Sequence, residues 1–142
     1  MALRATLAGA GRLPGGLTLA VNLLPDALLC PTVVDAPLDH AGCPLAVEIT
    51  EHSRVDDFEA VVAATRGLRR SGVAVSVDDA GAGSAGLRHI LRLDPDVITL
   101  DIGLVMGLHT DPARQAMTSA MVAFADETGT RPAAEVLGGA PV

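Results

Sequence analysis

Residues 73–83, VAVSVDDAGAG, join a short apolar run to two carboxylates and a glycine-rich turn. A run of valines of this length is typical of a strand that is buried on both faces of a parallel sheet. The same kind of apolar run recurs both earlier and later in the chain. The sequence therefore predicts five strands, at residues 17–23, 45–49, 73–77, 97–100 and 132–136.

The stretches between these runs have helical periodicity. In residues 55–71 apolar side chains recur every three or four positions, and Ser53 is a candidate N-cap. A second helix is predicted over residues 112–128 with Asp111 as its cap, and a short one over residues 85–93. Alternating strands and helices predict an α/β fold with parallel strands, either an open doubly wound sheet or part of a (β/α)₈ barrel.

Composition and charge exclude several classes of function. Of the 142 residues 49% are hydrophobic and 1% aromatic, so the core is expected to consist of Ala, Val, Leu and Ile. All ten cationic side chains are arginine, which excludes mechanisms that need a lysine from this chain. A net charge of −7 disfavours nucleic acid and anionic membranes as partners. With no signal peptide, membrane span or disulfide framework apparent, we expect a cytoplasmic protein.

Every predicted strand has an acid or an amide at its carboxyl end, where parallel α/β folds place their active sites. These residues are Asn22, Glu48 with Glu51 beyond it, Asp78 with Asp79, Asp101, and Glu135. Converging carboxylates repel one another unless a cation lies between them, and oxygen ligands suit Mg²⁺ or Mn²⁺. For any one of them a role as a helix N-cap is the commoner explanation; for the set, a cation site is favoured.

The glycines of residues 81–86 also match GxGxxG, with Asp101 twenty residues after Gly81, as in dinucleotide-binding folds. We reject that interpretation because two carboxylates directly before the glycines would repel a pyrophosphate. Residues 30–43 hold two cysteines and one histidine but lack a fourth zinc ligand. The arginines within residues 66–70 lie at a predicted helix end, where a solvated face aided by the helix dipole is the usual explanation.

Several short motifs follow one another along the chain. They are residues 21–23 (VNL), 48–51 (EITE), 78–83 (DDAGAG), 87–89 (LRH) with 95–98 (PDVI), 100–105 (LDIGLV) and 134–135 (AE). Their order resembles that of EAL domains, the cyclic-di-GMP phosphodiesterases of bacterial signalling, whose segments include VNLS, EITE, DDFGTG, KIDxx(F/L)V and AEGVET. The resemblance covers about residues 17–139, roughly half of a complete family domain.

The resemblance implies a TIM-like barrel, of which this chain would supply about five parallel strands. It also implies that two divalent cations, Mg²⁺ or Mn²⁺, activate a water for hydrolysis of cyclic-di-GMP. The metal ligands implied are Asn22, Glu48, Asp78 and Asp79. Glu135 is implied as the general base or as part of the metal and water site. The implied role of Glu51 is to anchor the loop of Gly81 and Gly83, which couples metal binding to dimerisation in the family.

The chain also departs from the family pattern. We expect residues 1–16 to be a helical remnant and residues 17–142 a partial EAL domain that lacks the E-A-L signature strand and the last strand. Thr99 stands where the family has lysine, and Val136 and Gly138 replace a glycine and a glutamate. Loss of a ligand and of a cation near the attacking water raises the barrier to hydrolysis. The departures therefore predict a degenerate, non-catalytic domain.

Three functions remain open at this point. The first is a non-catalytic module of cyclic-di-GMP signalling that binds the dinucleotide, a protein partner or, through the glycine loop, a second copy of the chain. The second is a metal-dependent phosphodiesterase that another chain completes. The third is a gene fragment without a stable function, since open sheet edges favour association or aggregation.

Overall fold

Five strands and the helices between them make up most of residues 15–34, 43–50, 57–80 and 86–134, which the computed structural model describes. The strands are β1 Leu19–Leu23, β2 Leu45–Thr50, β3 Ala74–Ala80, β4 Val97–Leu100 and β5 Arg131–Ala134. The helices are a 3₁₀ helix Pro25–Leu29, α1 Pro31–Val34, α2 Phe58–Arg70, α3 Gly86–Leu93, α4 Ile102–Val105 and α5 Pro112–Thr128. The five predicted strands are therefore confirmed, with shifts of at most three residues at their ends. The predicted helical remnant lies almost entirely outside the described residues.

The strands form one parallel sheet in chain order, β1-β2-β3-β4-β5. A doubly wound sheet changes direction at a switch point, whereas a (β/α) barrel adds each strand beside the previous one. The observed order therefore favours the barrel over the open sheet, the two alternatives that the sequence left open. Within the described part of the chain, β1 and β5 each pair with a single strand.

The register gives the sheet two chemically different faces, because paired residues of neighbouring strands share a face and successive residues alternate. One face is apolar, and helices α2, α3 and α5 pack on it with the central residues Val61, Ile90 and Met121. The other, which we call the polar face, consists of small and polar side chains. It includes Ala46, Glu48, Thr50, Ala74, Ser76, Asp78 and Thr99.

The central strands are buried on both faces, as the apolar runs predict, but the outer strands are not. On the polar face Ser76 is only 2% exposed and Thr99 7% exposed. In contrast, β1 alternates between half-buried and exposed residues, and all four residues of β5 are exposed. The core therefore lies between the helices and strands β2 to β4.

Helix α2 begins later than the sequence predicts. It starts at Phe58 because the side chain of Asp57 accepts a hydrogen bond from the backbone N–H of Ala60 at 3.0 Å. The predicted cap, Ser53, lies outside the described residues. The helix ends at Arg70, and Gly72 follows with a φ of +80°, a conformation that favours glycine.

Helix α5 agrees with its prediction at both ends. Asp111 accepts hydrogen bonds from the backbone N–H groups of Ala113 and Arg114, and Pro112 occupies the first turn. Gly129 ends the helix in the left-handed conformation, with a φ of +72°. Among the residues that the structure describes, neither α5 nor any other helix has the length and apolarity needed to cross a membrane.

Candidate functional site

The carboxyl ends of β1, β2 and β3 bring three of the predicted site residues onto the polar face. Asn22 of β1 is the register partner of Glu48 in β2. Asp78 of β3 is the register partner of Thr50, which lies two residues beyond Glu48. Since neighbouring strands are about 4.8 Å apart, Asn22, Glu48 and Asp78 form a continuous group across three strands.

Thr50 connects this group and was not among the predicted site residues. Its Oγ1 donates a hydrogen bond to Oδ1 of Asn22 at 3.4 Å, and its backbone is paired with that of Asp78. The signal in the sequence was its position two residues after Glu48, which places both side chains on the same face of a strand. Thr50 thus orients the Asn22 amide beside the two carboxylates.

The three predicted ligands differ in their exposure to solvent. Asn22 is exposed, Glu48 is half-buried and Asp78 is buried, with 9% of its surface exposed. Buried carboxylates in proteins are stabilised by hydrogen bonds, by paired charges or by metal ions. The group therefore forms a gradient from an open amide at the edge of the sheet to a buried carboxylate at its centre.

Beside Asp78, the floor of the polar face is neutral. The hydroxyls of Ser76 and Thr99 are 3.4 Å apart across β3 and β4, and both residues are buried. Thr99 is the residue that stands where the EAL pattern has lysine. Because threonine carries no charge, position 99 supplies no cation here. Asn22, Glu48 and Asp78 instead lie near a neutral, hydrogen-bonded pair of hydroxyls.

Asp101, at the end of β4, serves as a helix cap. Its Oδ1 accepts a hydrogen bond from the backbone N–H of Gly103 at 2.7 Å and starts helix α4, which the sequence did not predict. The side chain of Arg114 donates to the carbonyl of Gly103, within that short helix, and to the carbonyl of Met106, which follows it. For Asp101 the cap alternative is therefore confirmed.

The remaining predicted site residues cannot be placed. Asp79 belongs to β3, but its side chain lies outside the described residues, as do Glu51, Gly81, Gly83 and Glu135. Within the part of the chain that is described, no three His, Cys, Asp or Glu side chains form a group that could hold a metal. The oxygen donors of Asn22, Glu48 and Asp78 nevertheless have the chemistry that Mg²⁺ and Mn²⁺ prefer.

The chain is similar to known proteins over almost its whole length. The EAL domain family model matches residues 1–137. The cyclic di-GMP phosphodiesterase PdeR of Escherichia coli K12 is 30% identical over 125 residues, which cover 84% of this chain and 19% of PdeR. The blue light- and temperature-regulated antirepressor BluF of the same organism is 34% identical over 115 residues, which cover 76% of this chain and 28% of BluF.

A solved structure shows the same fold. The manganese and cyclic-di-GMP complex of Klebsiella pneumoniae BlrP1 superposes with a TM-score of 0.85 and 32% sequence identity. The match covers 96% of this chain and 37% of the BlrP1 chain. The expected TIM-like EAL architecture is therefore confirmed. The chain spans less than a third of the length of these two curated relatives.

Proposed function

This chain belongs to the EAL domain family, and on that premise we propose that it is a non-catalytic module of cyclic-di-GMP signalling that binds the dinucleotide at its polar face. Support for the ligand comes from BlrP1, whose solved complex contains manganese and cyclic-di-GMP. The name of BluF, an antirepressor, supports a regulatory role for a similar chain.

The observation that carries the non-catalytic assignment is the pair of hydroxyls of Ser76 and Thr99. A cation beside the attacking water stabilises the charge that develops during phosphoester hydrolysis, and loss of one such group costs about 10²- to 10³-fold in rate. Here Thr99 is buried and bonded to Ser76, and the chain contains no lysine. A neutral hydroxyl pair can accept or donate hydrogen bonds but supplies no positive charge.

The residues of the polar face fit a divalent cation of the hard type. The proposed ligands are Asn22, Glu48 and Asp78 of that face, together with Asp79, whose side chain lies outside the described residues. When bound, such a cation neutralises phosphate charge and draws the ligand to the site. Thr50 holds the Asn22 amide in place, and the burial of Asp78 strengthens its attraction for a positive charge because less water screens it.

A second candidate is a metal-dependent phosphodiesterase that strands from another chain complete. The observation that favours it is the exposure of β5, together with the single pairing of β1 and of β5 in the described sheet. A parallel strand with one free edge can pair with a further strand. The similarity to PdeR, named as a phosphodiesterase, agrees with this candidate.

Calorimetric titration of the chain with cyclic-di-GMP distinguishes these functions. We expect binding in Mg²⁺ that EDTA abolishes and that Asp78→Ala weakens at least tenfold. Asp126→Ala removes an exposed carboxylate on α5, away from the polar face, and should bind as the wild type does. We expect no conversion to linear dinucleotide.

Each other outcome has its own meaning. Turnover by the chain, or by the chain mixed with one that supplies further strands, would favour the phosphodiesterase. If the folded chain bound no cyclic-di-GMP, the proposed ligand would be wrong, and a module that binds a protein partner would remain. A chain that does not fold would favour the gene fragment.

A further inference from the structure

A second charged cluster lies at the amino ends of the strands, whereas Asn22, Glu48 and Asp78 lie toward their carboxyl ends. An open cleft of about 530 Å³ is found at the amino ends of β3 and β5. Its charged lining residues are Arg69, Arg70, Asp96 and Arg131. Arg69 and Arg70 end helix α2, while Arg131 begins β5 about sixty residues later, so the fold alone brings them together.

The carboxylate of Asp96 already has partners within the protein. Its Oδ2 accepts a hydrogen bond from the backbone N–H of Val75 at 2.9 Å, and its Oδ1 lies 3.3 Å from Nη2 of Arg69. The other terminal nitrogen of Arg69 lies 3.1 Å from a carboxylate oxygen of Asp94. Arg69 is therefore held between two carboxylates, and this group of three side chains carries one excess negative charge and forms the fixed wall of the cleft.

Two arginines of the cleft remain without an acidic partner in the part of the chain that the structure describes. Arg70 and Arg131 are exposed, and neither guanidinium makes a hydrogen bond or ion pair with the residues that the structure describes. The negative end of the α2 dipole explains an arginine at position 70. It does not explain Arg131, which begins a strand.

We propose that this cleft binds a small phosphate-bearing anion between Arg70 and Arg131. Guanidinium groups present parallel N–H donors that match the oxygens of a phosphate. Together, Arg70 and Arg131 offset the excess carboxylate charge beside Arg69 and one charge of the anion. The open space beside Gly72, where an added Cβ would meet no atom within 4 Å, leaves room for the ligand.

The charge of the whole chain restricts the size of that anion. A protein with a net charge of −7 repels long polyanions and anionic bilayers, whose many charges act over distances beyond the cleft. A small anion instead feels mainly the two arginines beside it. The ligand class is therefore a soluble phosphate or phosphate monoester, and a lipid headgroup in a membrane is disfavoured.

Titration with inorganic phosphate, followed by ¹H–¹⁵N NMR, tests the site. The titration is made in EDTA, so that no metal-dependent binding at the other edge contributes, and chloride keeps the ionic strength constant. We expect saturable shifts centred on Gly72, Asp96 and Arg131. Arg70→Gln and Arg131→Gln should each raise the dissociation constant roughly tenfold.

Arg66→Gln is the matched control, because it removes the same charge from an exposed position of α2 outside the cleft. It should change the dissociation constant less than about twofold. Equal weakening in all three variants would show general charge screening and overturn the proposal, as would the absence of saturation. Sedimentation with phosphatidylglycerol vesicles in the absence of phosphate binding would assign the arginines to a membrane and overturn it too. Thermal unfolding confirms that each variant is folded.

Discussion

Replacement of Asp96 tests how the amino ends of the central strands are fixed. Asp96 precedes β4, and its side chain and backbone both bond to Val75 of β3. Its carbonyl also accepts a hydrogen bond from the backbone N–H of Arg131 at 3.0 Å, so one residue joins β3, β4 and β5. Because a shift of one residue would move every side chain to the other face, this link keeps Asp78 and Thr99 on the polar face.

The magnitude follows from the two groups that lose a partner. Asp96→Ala leaves the N–H of the fully buried Val75 without its acceptor, which costs about 1–3 kcal/mol. It also removes the partly exposed pair with Arg69, worth about 0.2–1 kcal/mol. The sum is about 1–4 kcal/mol. Asp96→Asn keeps an amide oxygen for Val75 and loses only the ion pair, so it should cost less than about 1 kcal/mol.

Urea unfolding of the wild type and both variants measures these differences. With a slope of about 2 kcal/mol/M, Asp96→Ala should lower the midpoint by about 0.5–2 M and Asp96→Asn by less than about 0.5 M. Equal losses in the two variants would show that the ion pair, and not the bond to Val75, supplies the stability. A loss below about 0.5 kcal/mol in Asp96→Ala would show that water replaces the carboxylate, and it would refute the reasoning.

Two further predictions concern the segment after β4. The backbone N–H of Arg114 holds the pKa of Asp111 below its ordinary value of 3.8. Since the folded-state pKa is the lower one, this stabilisation is complete above the unfolded-state pKa and is lost as the pH falls through the folded-state pKa. When unfolding is measured between about pH 5 and pH 2, the stability of wild type should therefore fall more than that of Asp111→Asn. A Cβ at Gly103 would lie 2.6 Å from Oδ1 of Asp101, so Gly103→Ala should displace this cap and cost about 0.5–2 kcal/mol in urea unfolding. Gly67→Ala, in open space within α2, should instead stabilise by about 0.5–1 kcal/mol; the same sign in both variants would contradict the role of the cap.

Local signals explain why parts of the fold were predictable. Both ends of α5 follow from Asp111 before the helix and Gly129 after it, because caps act within one turn of the residues that they stabilise. The strand Val97–Leu100 was predicted with its observed ends, since Asp96 and Asp101 bound a four-residue run of β-branched and aliphatic side chains. The start of α2 was missed because several polar residues precede it. Only the hydrogen bond from the backbone N–H of Ala60 identifies Asp57 as the cap.

The sequence by itself determined the class of the fold, the order of the motifs and the positions of Asn22, Glu48 and Asp78 near the carboxyl ends of their strands. Periodicity, capping and motif spacing are properties of neighbouring residues, so they are visible without coordinates. The tertiary structure decided the order of the strands, the role of Thr50 beside Asn22 and the use of Asp101 as a cap. It also decided that Arg69 is the arginine that pairs with Asp94 and Asp96. Each of these depends on a contact across the sheet or between helix and loop, and the partner in such a contact is fixed only when distant segments pack together.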